Sequence, residues 1–387
     1  MSTALVRPVE PVVPAIARAL PAWVYNHPEM TRLEYERLLK PSWQIVCHKN
    51  QLRRAGDFVT FEMGTDSVVV VRDAQGTIRA FHNVCRHRGA RLLEGQGHCP
   101  AAITCPYHGW SYRHSGELLG ISARDTFPPL ERAQLGLKPV RMQLFLGFVF
   151  VCLAGEPPPL EKVLAELMQD FTAHRFEDME LLSEYVEHWD CDWKVAIDNY
   201  LESYHVPIGH PGLYRMCTPD YADQRRFHSG VAGGSSWLRE QPSSRWSERM
   251  YQQMIGGVAT HLPERERRRW SFYSVLPNLG IDVFPEQMDY FQVVPRGPGK
   301  CAVRGAVYGL PDERREMRIA RYLGARINRQ IQREDEWLCR RVQLGLASDS
   351  YEPGPLSSIE GWMLEFHNLL RERIPEARLP SPPARFS

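Results

Sequence analysis

Asn83-Val-Cys85-Arg-His87-Arg-Gly-Ala-Arg-Leu92 is followed, with seventeen residues between His87 and Cys105, by Cys105-Pro-Tyr-His108-Gly-Trp-Ser-Tyr112. Each loop offers one cysteine and one histidine. Two thiolates and two imidazoles at these spacings suit a [2Fe–2S] cluster, with the thiolates on one iron and the imidazoles on the other. Exchanging two anionic thiolates for neutral imidazoles raises the reduction potential to about −150 to +300 mV, against about −400 mV for an all-cysteine plant-type cluster. A structural zinc also takes Cys2His2. Zinc fingers, however, keep both cysteines on one side and both histidines on the other, whereas here each loop holds one of each. The loops therefore read as a one-electron carrier, which raises the question of what it feeds.

The 387 residues have room for two domains, by the usual prior of about 100–200 residues each. Hydrophobic residues make up 43% and charged residues 24%, a composition that supports a sizeable core. A formal net charge of +1 provides no global field for nucleic acid or an anionic membrane. The first twenty residues carry prolines and no unbroken apolar run, so they do not read as a signal peptide. The apolar stretches are strand-length, which predicts no membrane span. Seven of the nine cysteines (Cys47, Cys99, Cys152, Cys191, Cys217, Cys301, Cys339) are scattered, as buried thiols of a reducing compartment would be. The expected location is the cytoplasm.

Along the chain, residues 1–30 are Pro-rich and read as an extended arm. Thr31 and Glu34 form a capping-box pattern that predicts a short helix to Lys40, stopped by Pro41. Residues 43–153 read as short strands, at 58–63, 67–72 and 78–82, carrying the two ligand loops. Gly155-Glu-Pro-Pro-Pro159 marks a boundary. Beyond it, the pattern predicts a helix over 160–174, a strand over 182–189 and a helix over 193–205. A loose Gly/Ser/Arg-rich region over 219–242, three or four antiparallel strands over 271–309, and helices over 313–346 and 358–373 follow. The expected class is α+β, a sheet with long helices packed on it. The expected divisions are 1–40 (arm and helix packed on the last domain), 41–155 (cluster domain) and 156–387 (catalytic domain).

A second metal site is suggested by Asp198-Asn-Tyr-Leu-Glu202-Ser-Tyr-His205-Val-Pro-Ile-Gly-His210-Pro211. His205 and His210 could be two legs of a 2-His-1-carboxylate triad, which leaves iron(II) open positions for O2. On a straight helix they would stand about 140° apart. Pro207 removes a backbone hydrogen bond and could swing both imidazoles to one side. For the third leg, Ile327, Ile331, Leu338 and Val342 form an apolar stripe with Asp335 in its middle. A carboxylate there is costly unless paired or metal-bound. An arginine partner is the plainer reading, and Glu334 is expected to point off that face.

The two loops, the 198–211 segment and the stretch from Glu334-Asp335 to Val342-Gln-Leu-Gly-Leu346 together resemble the α subunit of Rieske non-haem iron oxygenases, over about residues 23–375. The resemblance implies a Rieske β domain plus a helix-grip catalytic domain. Cys85, His87, Cys105 and His108 would bind the cluster, and His205, His210 and Asp335 the mononuclear iron. It also implies a homotrimer in which one subunit's cluster serves the next subunit's iron. Glu202 would then be the bridging carboxylate between His205 and the neighbouring subunit's His108. Three apart on a helix, Glu202 and His205 would face each other, and a carboxylate on the second N–H of a ligating histidine is a common supporting contact. A plain surface glutamate is the alternative. Many ring-hydroxylating members carry Asp at this position, so Glu202 argues against automatic assignment to ring dihydroxylation.

The resemblance implies a terminal oxygenase that uses O2 and NAD(P)H-derived electrons to hydroxylate, dihydroxylate or oxidatively dealkylate a small hydrophobic, aromatic substrate. The alternatives are N-demethylation or C–N cleavage of a quaternary ammonium compound, and a Rieske carrier fused to a ligand-binding domain without second metal. Candidate pocket residues are Phe284, Phe291, Tyr308, Trp362 and Phe366, the last two as an aromatic wall for a flat ring or a cation. The positions of Asp282 and Asp289 are not readable from sequence. Arg86, Arg88 and Arg91 could receive a ferredoxin or tie the loops to neighbouring carboxylates. No G-x-G-x-x-G fingerprint follows a strand, so a separate ferredoxin or flavin reductase is the expected partner.

Overall fold

The computed structural model describes residues 16–218, 225–226 and 230–386. Between residues 44 and 152 the chain forms three small antiparallel sheets. One runs Ile78–His82, Asp66–Arg72, Asp57–Met63, Gln96–His98. A second sheet pairs Ile103–Thr104, Ser111–Tyr112 and Leu118–Gly120, and a third pairs Gln44–His48, Phe148–Cys152 and Arg141–Phe145. The strands Asp66–Arg72 and Phe148–Cys152 are almost wholly buried, as their runs of Val and Phe require.

The larger C-terminal part is built on a seven-stranded antiparallel sheet. Its order is Glu180–Trp189, Lys300–Gly309, Met288–Gly297, Leu279–Val283, Arg269–Val275, Val231–Trp237 and Arg225–Arg226. The 32-residue helix Arg315–Leu346 carries the iron-ligand candidate Asp335, and buries Met317, Ala320, Leu323, Gly324 and Ile327. One apolar cluster runs from Leu20, Met30 and Leu39 through Val149 and Val151 to Trp193, Phe366 and Leu370. The first third and the larger sheet thus share a core. Among the described residues, no helix is long and apolar enough to cross a membrane.

Several local expectations are corrected. Thr31 does not open a helix: the helix is Pro28–Glu34, entered at Pro28 and capped by the His27 side chain, which accepts from the Glu29 N–H. Glu34 is instead fully buried, accepting from Trp193 Nε1 at 2.6 Å and pairing with Lys194 at 2.7 Å. A buried carboxylate needs such partners more than a helix end needs its cap. The extended arm also contains the helix Ala22–Asn26, and its first fifteen residues lie outside the described residues. The helix expected over 160–174 is broken into short turns, Leu160–Val163, Ala165–Leu167, Met168–Phe171 and Thr172–His174.

The loose region contains the strand Val231–Trp237, whose Gly233-Gly-Ser-Ser236 run is fully buried. Small residues hid it from a strand reading, which relies on branched and aromatic side chains. They also make room: a Cβ on Gly234 would sit 3.5 Å from the Trp362 ring. Part of that region, 219–224 and 227–229, lies outside the described residues.

Candidate functional site

The two Cys/His loops are built alike. In each, the cysteine N–H donates five residues forward, Cys85 to the Ala90 carbonyl and Cys105 to that of Trp110, both at 2.8 Å. The N–H four residues on donates back to the cysteine carbonyl, from Gly89 at 3.0 Å and from Gly109 at 3.1 Å. Those turns need left-handed backbone, and the glycines supply it at φ +76° and +69°. Tyr112 ties the loops together: its hydroxyl accepts from the Arg86 N–H at 2.9 Å and lies 3.2 Å from Cys85 Sγ. Both thiols are buried.

The His87 and His108 rings are 4.7 Å apart, and His87 stacks on Trp110 at 5.0 Å. The buried Nδ1 of His87 has no hydrogen-bond partner among the described residues. A buried ring nitrogen without a partner is costly. Beside two buried thiols, this fits a ligand atom for a cluster.

The second constellation arises where the chain breaks its helix. Asp192 caps the helix Trp193–Tyr200 by accepting from the Lys194 N–H. Only a four-residue turn, Val206–Gly209, follows before Pro211–Met216 begins. His205 flanks the N-terminal end of that turn and His210 its C-terminal end, so their rings meet with centroids 5.0 Å apart. A double break, rather than the expected kink in one helix, brings them together.

Asp335 reaches in from the long helix, its Oδ1 2.9 Å from His210 Nε2 and 3.7 Å from His205 Nε2. One potential ligand atom from each of the three residues lies within 4.8 Å of the others. Asn199 donates to the same Asp335 oxygen at 2.6 Å.

Both imidazoles are gripped from behind. Glu202 contacts His205 Nδ1 and also accepts from the His205 N–H at 3.1 Å. Glu202 lies in the turn after the helix, not on it, and so also caps the next turn. Glu334 was expected to face away; its Oε2 is instead 2.9 Å from His210 Nδ1, and Gln330 donates to its other oxygen at 2.8 Å. A carboxylate on Nδ1 leaves each Nε2 free to bind metal. Burial pulls the His210 pKa down, but Asp335 and Glu334 outweigh it and hold the pKa above its usual value. The negative field that draws a proton there would also draw a dication.

A pocket of about 390 Å³ opens onto this triad. Tyr185, Trp270, Phe272, Phe284, Phe291 and Trp362 give it aromatic walls. Tyr308 and Phe366 are not on its lining. Tyr308 packs against Phe148 and Tyr290 in another core, and Phe366 against Trp193. Sequence reading left Asp282 and Asp289 unplaced, yet they are cross-strand partners in the sheet and both line the pocket.

Tyr200 donates to Asp282 at 2.7 Å. Burial, reinforced by the Asp335 charge, pushes the Asp282 carboxyl up to about 7. Burial and the Asp282 charge raise Asp289 well above its usual range. Neither has a cationic partner among the described residues. Of the arginines near the cluster loops, Arg91 pairs with Glu62 at 2.5 Å and Arg88 lies over the Tyr107 ring. Arg86 donates to the Gln134 carbonyl at 3.4 Å.

Comparison with known proteins gives this architecture a family. Residues 42–133 match the Rieske [2Fe-2S] domain, and residues 176–376 match the catalytic domain of the ring hydroxylating alpha subunit. The chain belongs to this family of Rieske oxygenase subunits.

It is 30% identical to the chloroplastic choline monooxygenase of Arabidopsis thaliana, over 96% of this chain and 86% of that protein. It is 29% identical to the glycine betaine monooxygenase oxygenase subunit of Chromohalobacter salexigens, over 88% and 82%. Its fold is that of a quaternary ammonium Rieske monooxygenase solved with L-carnitine, with TM-score 0.77 and 23% identity over 93% of this chain and 96% of that one. Naphthalene 1,2-dioxygenase from Rhodococcus sp. bound to indole has the same fold, with TM-score 0.74 and 20% identity over 92% and 94%. The chain is a Rieske-type terminal oxygenase with a [2Fe–2S] cluster and a non-haem iron. As in its family, O2 is the cosubstrate and a reductase supplies the electrons.

Proposed function

We propose that this oxygenase acts on a quaternary ammonium compound, oxygenating a carbon bonded to the cationic nitrogen. The observation that carries this reading is the Asp282–Asp289 pair, two buried acids within an aromatic pocket and in no ion pair among the described residues. Burial favours the protonated acids, and a cation arriving between them would favour their ionised, attractive form. A trimethylammonium group meets the need, because its charge is spread over methyl groups that suit both aromatic faces and carboxylates. A neutral aromatic substrate, which the sequence reading favoured, would leave the pair protonated and would gain nothing from its charge. The names of the relatives point the same way.

In this reading Cys85, His87, Cys105 and His108 hold the cluster, and His205, His210 and Asp335 hold the iron. The residues fit both groups, and the iron, when bound, supplies O2 activation. Glu202 and Glu334 fix the two imidazoles, and Asn199 orients Asp335. Asp282 and Asp289, with the aromatic walls, place the cationic head beside the iron. Oxygenating an N-methyl carbon gives a hydroxymethyl ammonium that collapses to an amine and formaldehyde. The balance is one O2, two electrons and two protons consumed, with one water and one proton released besides the two products.

Of the expected divisions, 41–155 is the cluster domain and 156–387 the catalytic domain, and the described part of 1–40 anchors on the shared core. The working assembly is a homotrimer in which Glu202 meets the neighbouring subunit's cluster. Two exposed apolar patches support this arrangement, Tyr204 and Ile208 near Glu202 and Tyr107 beside His108. We place the enzyme in the cytoplasm because its seven cysteines outside the cluster loops are buried and in no disulfide.

The test is turnover with a surrogate reductase, NADH and a panel of trimethylammonium compounds, aryl ethers and aromatic acids. The expected result is amine or aldehyde product from an ammonium compound, in step with NADH and O2 consumed. Coupled oxidation of an aromatic acid alone would refute the reading.

A further inference from the structure

A second cavity, of about 370 Å³, lies behind the wall of the substrate pocket and shares only Phe284 and Gln287 with it. None of the residues assigned above to iron or cluster lines it. Its charged lining is Arg175, Arg314, Arg321, Asp178, Asp312 and Glu286, with His174 and His261.

The charges do not cancel pairwise. Arg175 is committed to Asp178 at 2.6 Å, and Arg314 to Asp312 at 2.6 Å. Arg321 has no carboxylate partner among the described residues. Its Nε donates to the Glu286 carbonyl at 3.3 Å and its Nη2 to the Leu310 carbonyl at 2.7 Å, which fixes the guanidinium plane and leaves Nη1 free. The Glu286 carboxylate accepts instead from the Tyr251 hydroxyl at 2.8 Å, and burial pushes it up to about 7. Arg321 is therefore the lining guanidinium held by carbonyls rather than by a carboxylate, with Asp312, Glu286 and Glu313 acting on it only through space.

The second observation is independent of that charge. His174 is only 7% exposed and lines the cavity, yet neither ring nitrogen has a hydrogen-bond partner among the described residues. Its ring nitrogens are not among the fully enclosed atoms that lack a partner, so the ring's accessible edge faces the cavity and can meet an occupant there. Burial, then the charges of His261 and Arg269, hold it down at about 4, so near neutral pH it is an uncharged imidazole with one N–H to give.

A guanidinium outside any ion pair and a neutral N–H donor bordering one cavity define a complement for a singly charged, planar oxyanion. The volume is that of a small-molecule site rather than a lone water. We propose that this cavity binds a small organic carboxylate, with Arg321 supplying the charge and His174 a directed hydrogen bond. Its occupant would press on Phe284 and Gln287 from behind, and so act on the substrate pocket without entering it.

The test uses the full-length holoenzyme, titrated calorimetrically with acetate and, separately, with inorganic phosphate. Acetate should bind saturably in the millimolar range, and Arg321→Gln should weaken it by about tenfold. Arg321→Lys, which keeps the charge and loses the planar fork, should fall between them. His174→Phe should weaken binding several-fold while keeping an aromatic ring in place. Any change that acetate makes to the EPR signal of the nitric oxide adduct of the iron should weaken in Arg321→Gln in step with binding.

Three results would overturn the proposal: no saturable acetate binding up to about 50 mM, binding as tight as the wild type's in the Arg321→Gln and His174→Phe variants, or an acetate effect on the iron signal that persists undiminished in Arg321→Gln. Phosphate binding more tightly than acetate would overturn the carboxylate assignment.

Discussion

The cluster loops and the iron triad solve the same problem in opposite ways. Each loop is closed by its own backbone, with both of its hydrogen bonds spanning five residues or fewer. The triad draws His205 and His210 from either end of a four-residue turn and Asp335 from a helix 125 residues further on. The first site is local and depends little on distant packing. The second exists only when the long helix is docked, and four further side chains hold it in shape: Glu202, Glu334, Asn199 and Gln330. The lesson is that ligand geometry needs support in proportion to the sequence distance it spans.

The largest expected effect separates the sites outright. His205→Ala should leave the visible spectrum of the cluster unchanged, remove the mononuclear iron, and reduce turnover below detection. Loss of the cluster spectrum in that variant would show that the two sites are not independent. Glu202→Gln comes next. Both metals should be retained, while single-turnover reoxidation of the cluster slows by about a hundredfold or more, since a bridging group is positioned by two partners at once. Normal reoxidation would remove Glu202 from the electron path.

Glu334→Gln tests the support of His210 alone. Iron affinity should fall by about 10–100-fold, the usual effect of losing such a contact. Glu334→Asp should recover part of the loss, and cluster content should not move. The smallest effect is a pH dependence. Asp282 sits at about 7 in the free pocket, and only its ionised form attracts a permanent cation. Affinity for a trimethylammonium substrate should therefore rise several-fold between about pH 6 and pH 8 and then level off. A flat profile would mean that Asp282 does not face the cation.

The same contrast explains how much was legible in the sequence. The cluster loops could be read directly because ligands, glycines and closing bonds all lie within a few residues. The triad's members were visible as residue types, but a helical wheel places His205 and His210 about 140° apart, and only the helix breaks bring them together. Glu334 was missed because the wheel fixes where a side chain starts and not how far it reaches. Its carboxylate curls back to His210 with Gln330 beneath it.

Tyr308 was misassigned to the pocket by residue type alone. Along its strand the lining residues are Val303 and Val307, so Tyr308 is out of phase with the period of two and faces the other core. Asp289, Phe291 and Val293 keep that phase and share the pocket face. Phe366 lies one turn from Trp362 but abuts Trp193, because the helix dives into the core there. The strand over Gly233-Gly-Ser-Ser236 was hidden by the very smallness that makes room for Trp362.

The central claim is that a buried acid pair selects a cationic substrate. The measurement that tests it most directly is kcat/KM for a trimethylammonium alcohol against its neutral tert-butyl isostere, in the wild type and in the Asp282→Asn/Asp289→Asn double variant. The two molecules share shape and differ in charge. The account predicts a preference for the cation of about a hundredfold, equivalent to about 2.7 kcal/mol, reduced to near parity in the double variant. Equal use of both molecules by the wild type, or an undiminished preference in the variant, would contradict it.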